Sequence, residues 1–295
     1  MADATVESAA SQTQPTPDAS LPSQFGLIAG QGDFPLLIAG AARSNGVKVI
    51  GFAIKGFASN EIENCCDQVI WLELGQLQRA IDLMHENGIK AVTMAGRVPH
   101  TSIFQYRHLD RRAMKLLAKC LTRKADALLG TVVAEFQTEG IEVMDSSLFL
   151  KNLMPAAGMI TSARALTAAE QEDVDFGYPL AKAVAGLDIG QTIVVKEKMV
   201  VAVEGAEGTD ECIKRAGQLA GSHCVVVKVS KPAQDMRFDI PVIGPGTIKS
   251  MIEAQATVLT LSARECLVFH RQQLVQDAEA AGIAIIAVGN SASDK

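Results

Sequence analysis

A chain of 295 residues is long enough for two domains that each bury a core, and with 20% charged and 48% hydrophobic residues it is neither disordered nor a disulfide-stapled mini-protein. Twenty-seven Lys and Arg against thirty-three Asp and Glu give a formal net charge of -6, which leaves no general electrostatic attraction to nucleic acid or anionic lipid. The six cysteines (Cys65, Cys66, Cys120, Cys212, Cys224, Cys266) show no CxxC spacing and the five histidines no HxH or HExxH pattern. Reduced thiols in the cytoplasm are therefore expected, and any metal is expected to be Mg²⁺ or Mn²⁺ on oxygen ligands.

Residues 1–24 are rich in Ala, Ser, Thr, Pro and Gln and contain no Lys or Arg. They lack the basic and apolar regions of a signal peptide and read as a disordered tail. No apolar run reaches the roughly 18 residues needed to span a bilayer. From Phe25 onward short apolar runs alternate with longer amphipathic stretches, the pattern of a parallel sheet flanked by helices. Strands are predicted at Phe25–Ala29, Val47–Ile54, Gln68–Leu72, Ala91–Ala95 and Ile141–Met144. Helices are predicted at Pro35–Asn45, Gln76–Asn87 and Leu109–Thr138, the last split near Thr122. Gly46, Gly88 and Gly140 each fall where a helix needs a left-handed carboxyl-terminal cap.

Beyond a polar stretch at Pro155–Arg164 the texture changes. Thr192–Val203 carries two β-rich runs around Lys196-Glu197-Lys198 and predicts an antiparallel hairpin. Helices at Thr209–Leu219, Thr247–Ala254 and Gln272–Ala281 alternate with strands at Cys224–Val229, Val258–Leu261 and Ala284–Val288. The fold class is α/β: a doubly wound first domain over residues 25–158 and a mixed α/β domain over 159–290, with 291–295 as a short tail.

Four regions carry candidate chemistry. The turn Gly30-Gln31-Gly32-Asp33 joins a strand to a helix that opens on Pro35, and such a turn can approach phosphate or sugar oxygens closely. It is not a dinucleotide fingerprint, because Pro35 takes the third glycine's place and no Asp or Glu lies between Asp33 and Glu61 to hold a ribose. Two more strand ends, at Gly75 and at Gly96-Arg97 with His100 beyond, are expected at the same edge, where Arg97 can meet an anion. Asp188 and Gln191 precede the hairpin, and Glu204, Glu207 and Asp210 follow it beside two glycines and Thr209. Thr209 or Asp210 can cap the next helix, which leaves carboxylates over for a hard cation or sugar hydroxyls. Last, Lys228, Lys231, Asp235, Arg237 and Asp239 lie in a stretch framed by prolines, a pattern that combines a cationic clamp for phosphates with a carboxylate for a cation or water.

The blocks GLIAGQGDFP, ELGQL, MAGRV, KADALL, LDIGQ, AVEGAEGTDECIKR and KPAQDMRFDIPVIGPGTI, in this order over about Phe25 to Asn290, resemble the LpxI-type UDP-2,3-diacylglucosamine pyrophosphatases of lipid A biosynthesis. The resemblance implies a Rossmann-like amino-terminal domain, a distinct carboxyl-terminal domain and an active site between them. It further implies hydrolysis of UDP-2,3-diacylglucosamine to lipid X and UMP with a divalent cation, Mg²⁺ or Mn²⁺. Carried over by motif, Asp239 is the catalytic carboxylate and a metal ligand together with Glu204 and Asp210. Gly30, Gln31, Gly32, Asp33, Gly75, Gly96, Arg97, Asp188, Gln191, Thr209 and Lys231 are the expected substrate contacts. Gln31 stands where a third consecutive glycine is common, and Pro99-His100-Thr101 replaces a more usual Ser-Arg-Pro. A cytoplasmic homodimer that touches the inner membrane through its lipid substrate, and no nucleic-acid partner, complete the expectation. A non-catalytic nucleotide-sugar or lipid-binding module is the alternative, with a nicotinamide oxidoreductase behind it.

Overall fold

The computed structural model describes residues 21–98, 109–119, 125–238 and 240–289. The expected tails (save residues 21–24), His100, the helix break near Thr122 and Asp239 lie outside the described residues. The chain divides into two compact units, one drawn from residues 1–119 and 134–142, the other from 120–133 and 143–295.

In the first unit, strands β1 (Gln24–Ala29), β2 (Lys48–Ile54), β3 (Gln68–Leu72), β4 (Ala91–Ala95) and β5 (Glu142–Val143) form one sheet in the order β3-β2-β1-β4-β5. β1 pairs in parallel with both β2 and β4, and β2 with β3. Phe25, Leu27, Val49, Phe52 and Val92 are fully buried, as expected of strands covered on both faces. Helices α1 (Phe34–Ser44), α2 (Ile62–Cys65) and α3 (Leu77–Glu86) are followed by α4 (Arg111–Lys119) and by α5 (Ala125–Thr138), which belongs to this unit only from residue 134 on. Gly46, Gly88 and Gly140 take φ of +74°, +66° and +72°, as their positions after α1, α3 and α5 require. Because β1 has β2 on one side and β4 on the other, the chain reverses its direction of winding there, and the carboxyl ends of β1 and β4 are the switch point at which open α/β sheets take ligands.

The second unit holds a six-stranded sheet in the order β6-β13-β11-β9-β7-β8. Its members are β6 (Gly158–Met159), β7 (Thr192–Lys196), β8 (Met199–Val203), β9 (Val225–Lys228), β11 (Val258–Ser262) and β13 (Ala284–Val288). β9, β11 and β13 run parallel, while β7 and β8 form the expected antiparallel hairpin, with Glu197 and Lys198 at positive φ in its turn. A separate parallel pair joins β10 (Val242–Ile243) to β12 (Leu267–Val268). The two-residue period of β9 divides its side chains between two cores. Val226 packs with Ile213, Ile248 and Leu274 of helices α7 (Thr209–Ala220), α8 (Pro245–Glu253) and α9 (Arg271–Ala280). Val225 and Val227 pack with Val174 and Ala181 of α6 (Ala168–Gly186).

α6 is the longest element that sequence reading missed. Gly177 and Pro179 interrupt its pattern, yet Gly177 lies hard against the sheet: a Cβ there would lie 2.9 Å from Val195 and 3.0 Å from Val227. A capping box starts it, with Thr167 accepting from the Glu170 backbone and Glu170 accepting from that of Thr167. Arg164 also grips Glu170 with two nitrogens, at 2.8 Å each. Burial alone would raise the Glu170 pKa, but the bonds from Arg164 and the Thr167 backbone outweigh it and hold the carboxyl near 2, against an ordinary 4.5. A depressed carboxylate stabilises the fold above its unfolded pKa and loses that contribution as pH falls through the folded value. Glu170→Gln is therefore expected to cost about 2 kcal/mol at pH 7. In urea melts the deficit should shrink from about pH 4.5 down towards 2; a deficit that does not change with pH would refute the ionic origin.

Candidate active site

In the first unit the expected substrate residues gather at the carboxyl ends of β1, β3 and β4. Gln31 and Arg97 form a two-way antiparallel bridge, each N–H donating to the other's carbonyl at 2.9 Å, and the Gly30 N–H donates to Ala95 at 2.8 Å. This close seam explains both glycines. A Cβ at Gly30 would stand 2.9 Å from the Arg97 carbonyl oxygen, and one at Gly96, where φ is +86°, 2.8 Å from that of Gln31. Gly75, at φ +93°, leaves room for Leu109. Of these four glycines Gly32, at φ +98°, is the one with open space where a side chain would be, and it lies with exposed Gln31 and Asp33 just ahead of α1. Asp33 is the amino-terminal cap residue of α1 by position, with no side-chain bond to the helix end.

In the second unit the hairpin exit and the end of β9 meet at one edge of the sheet. Thr209 and Asp210 do not cap α7, as either was expected to; Gly208 takes the cap position at φ +85° without a side-chain bond. The Thr209 hydroxyl instead donates to Glu204 Oε1 at 2.9 Å and accepts from Lys228 Nζ at 2.7 Å. The Gln191 N–H donates to the other Glu204 oxygen at 3.3 Å. Glu207 folds back on its own turn: the Gly205 N–H and the Arg215 guanidinium both donate to it, and Arg215 above all holds its carboxyl below the usual range. Asp210 sits in the first turn of α7 and faces Gly246, whose Cβ position is 3.9 Å from Asp210 Oδ2.

Two of the three cations of the proline-framed stretch, Lys231 and Arg237, are already paired. Lys231 Nζ lies 2.8 Å from Asp188 Oδ1, and Arg237 binds Asp235 with two nitrogens, at 2.9 and 2.6 Å, which lowers the Asp235 pKa. Lys228 ends a strand and is buried at 6% exposure. A further cluster, its ends 83 positions apart in sequence and so invisible to motif reading, lies close by. Lys182 of α6 donates to the Ser230 hydroxyl at 2.7 Å and to Glu265 at 2.9 Å, and the Ser230 hydroxyl donates to Glu265. Among the described residues no three His, Cys, Asp or Glu side chains gather as a metal cage. Glu204 and Asp210 are both hard oxygen donors, the chemistry that suits Mg²⁺ or Mn²⁺.

The molecule is thus a two-unit α/β protein with a glycine turn at the switch point of one sheet and a carboxylate, hydroxyl and lysine cluster at the edge of the other. The chain belongs to the LpxI family: the model of its amino-terminal domain matches residues 24–153 and that of its carboxyl-terminal domain residues 156–286. A UDP-2,3-diacylglucosamine pyrophosphatase LpxI of Caulobacter vibrioides is 28% identical over 277 residues, 90% of this chain and 97% of that protein. Among solved structures, an N5-carboxyaminoimidazole synthetase of Staphylococcus aureus (14% identity, TM-score 0.22) matches 58% of this chain, which spans 38% of that protein. A glycinamide-RNase-transformylase T of Mycobacterium tuberculosis (13% identity, TM-score 0.24) matches 61% of this chain, which spans 44% of that protein. Both likenesses are too slight to bear on the site.

Proposed function

We propose that this chain hydrolyses the pyrophosphate bond of UDP-2,3-diacylglucosamine, adding one water across it to release UMP and 2,3-diacylglucosamine 1-phosphate (lipid X), as a step of lipid A biosynthesis. The observation that carries this reading is the match of both LpxI domain models, together with a relative named for that activity along nearly its whole length. The glycine turn of the first unit supports it, since it offers backbone to an anion at a switch point without an acidic group for a nicotinamide ribose. In this reading Gly30, Gln31, Gly32, Asp33, Gly75, Gly96 and Arg97 of the first unit and Asp188, Gln191, Thr209 and Lys231 of the second contact the substrate.

Glu204 and Asp210, with Asp239, would hold Mg²⁺ or Mn²⁺. The ion supplies neutralisation of the charge that builds on the phosphates. Glu204 is oriented by Thr209 and the Gln191 N–H. Asp239 orients the attacking water or shares the ion. The remaining parts of the reading are a cytoplasmic place, contact with the inner membrane through the lipid substrate, and a homodimer; among the described residues no helix is long and apolar enough to cross a membrane.

The test is incubation of purified protein with UDP-2,3-diacylglucosamine and Mg²⁺, with mass spectrometry of the products. UMP and lipid X in equal amounts are expected; binding without turnover would point to the non-catalytic module instead. Exhaustive chelation is expected to lower turnover by about tenfold or more, restored by Mg²⁺ or Mn²⁺. Undiminished turnover after chelation would remove the metal from the reading.

A further inference from the structure

Lys228 closes β9 opposite Thr192 of β7 in the antiparallel register, and its Nζ reaches Thr209 Oγ1 at 2.7 Å and Thr192 Oγ1 at 3.4 Å. At 6% exposure it is a buried ammonium whose described polar partners are hydroxyls, in a place where an apolar side chain would avoid the cost of removing a charge from water. An ammonium can only donate. Thr209 Oγ1 must therefore accept from it, and the single Thr209 proton is left for Glu204 Oε1, 2.9 Å away. The same hydroxyl, at the first position of α7, caps nothing. Glu204 is held at its other oxygen by the Gln191 N–H and at its backbone by Thr192, whose carbonyl accepts from the Glu204 N–H at 2.9 Å.

We propose that Lys228 is a positioning residue: by fixing the sense of the Thr209 hydroxyl it locks the Glu204 carboxylate in one orientation for its work in the site. The proposal rests on the reading of Glu204 as an ion-holding carboxylate.

The experiment is a double-mutant cycle on the full chain. Lys228→Met keeps length and removes the donors, and Glu204→Gln removes the carboxylate charge. Outer partners of ligating groups typically contribute about 10- to 100-fold, so Lys228→Met should lower kcat by that factor with KM for UDP-2,3-diacylglucosamine within about threefold of wild type. The double variant should be no slower than Glu204→Gln alone, because both changes break one unit. A second readout does not use turnover: the rise in Tm produced by saturating Mn²⁺ should vanish in Glu204→Gln and fall below half in Lys228→Met. Thr209→Val and Thr209→Ser break and keep the same relay without touching the lysine. The valine variant is expected to behave like Lys228→Met and the serine variant to recover most of the kcat and of the Mn²⁺ response that the valine variant loses, which keeps the test decisive if Lys228→Met fails to fold. If Glu204→Gln is slow while Lys228→Met or Thr209→Val is normal, or if the losses multiply in the double variant, the positioning role is wrong and the reading of Glu204 stands. If Glu204→Gln itself keeps full turnover and the Mn²⁺ response, the reading of Glu204 falls and takes the role of Lys228 with it.

Discussion

Asp239→Asn should lower turnover by roughly 10²-fold or more while substrate still binds, the loss typical of removing one preorganised electrostatic group. The substitution keeps shape and removes charge, so it separates chemistry from packing. The chain on either side of Asp239 is well held: Phe238 and Ile240 are buried, the Met236 carbonyl accepts from the Ser146 N–H at 2.8 Å, and the Arg237 carbonyl accepts from the Ser146 hydroxyl at 2.6 Å. Arg237 already has Asp235 as its counter-ion, so it does not need Asp239 to neutralise it. A residue that only braced this stretch would, on becoming Asn, lower Tm and weaken binding while the folded fraction turned over normally. Tm, substrate affinity and kcat measured on one preparation decide between the two. A folded variant that binds substrate and turns over at a near-normal rate would falsify the catalytic role.

The sheet of the first unit was legible because its strands are apolar runs ended by glycine, and each glycine that had to be left-handed fell where the periodicity stopped. Gly46, Gly88 and Gly140 are of this kind. α6 was not legible, because Gly177 and Pro179 are residue types that disfavour a helix interior and nothing in the local sequence reveals that a sheet passes within van der Waals reach of the helix. Its one available signal was Thr167 followed three residues on by Glu170, a capping box in plain view.

The candidate site divides along the same line. Glu204, Thr209 and Asp210 could be singled out because they lie within seven residues of one another. The duty of each could not, since the Thr209 hydroxyl turns from its own helix to a glutamate before it and a lysine nineteen positions after it. Lys182, Ser230 and Glu265 come together only through the sheet, at separations of 48 and 83 residues from Lys182, which no spacing rule reaches. Glycines selected in the sequence for their access to phosphate prove to be shaped first by backbone meeting backbone, as at Gly30 and Gly96.

Gly190 shows that effect at its strongest and gives the second large expectation. A Cβ on Gly190 would stand 2.2 Å from the Glu204 carbonyl oxygen and 2.8 Å from its carbon, closer than real side chains come. The obstacle is main chain and cannot rotate away; the Glu204 N–H is tied to the Thr192 carbonyl, and the Gln191 carbonyl next to Gly190 accepts from the Val229 N–H at 2.8 Å. Either the hairpin exit or the loop ahead of β7 must move, and both carry Glu204 contacts. Gly190→Ala is expected to cost about 3 kcal/mol, the upper part of the ordinary range for overpacking, and to lower kcat in the molecules that remain folded. Gly40 is the matched control, since it lies inside α1 with nothing within 4 Å of its Cβ position. Gly40→Ala should stabilise the protein by about 0.5–1 kcal/mol through helix propensity and leave turnover unchanged. Urea denaturation and steady-state kinetics on the two variants read both effects. Equal stability of Gly190→Ala and wild type would show that the hairpin exit yields freely, and the rigid seating of Glu204 would have to be abandoned.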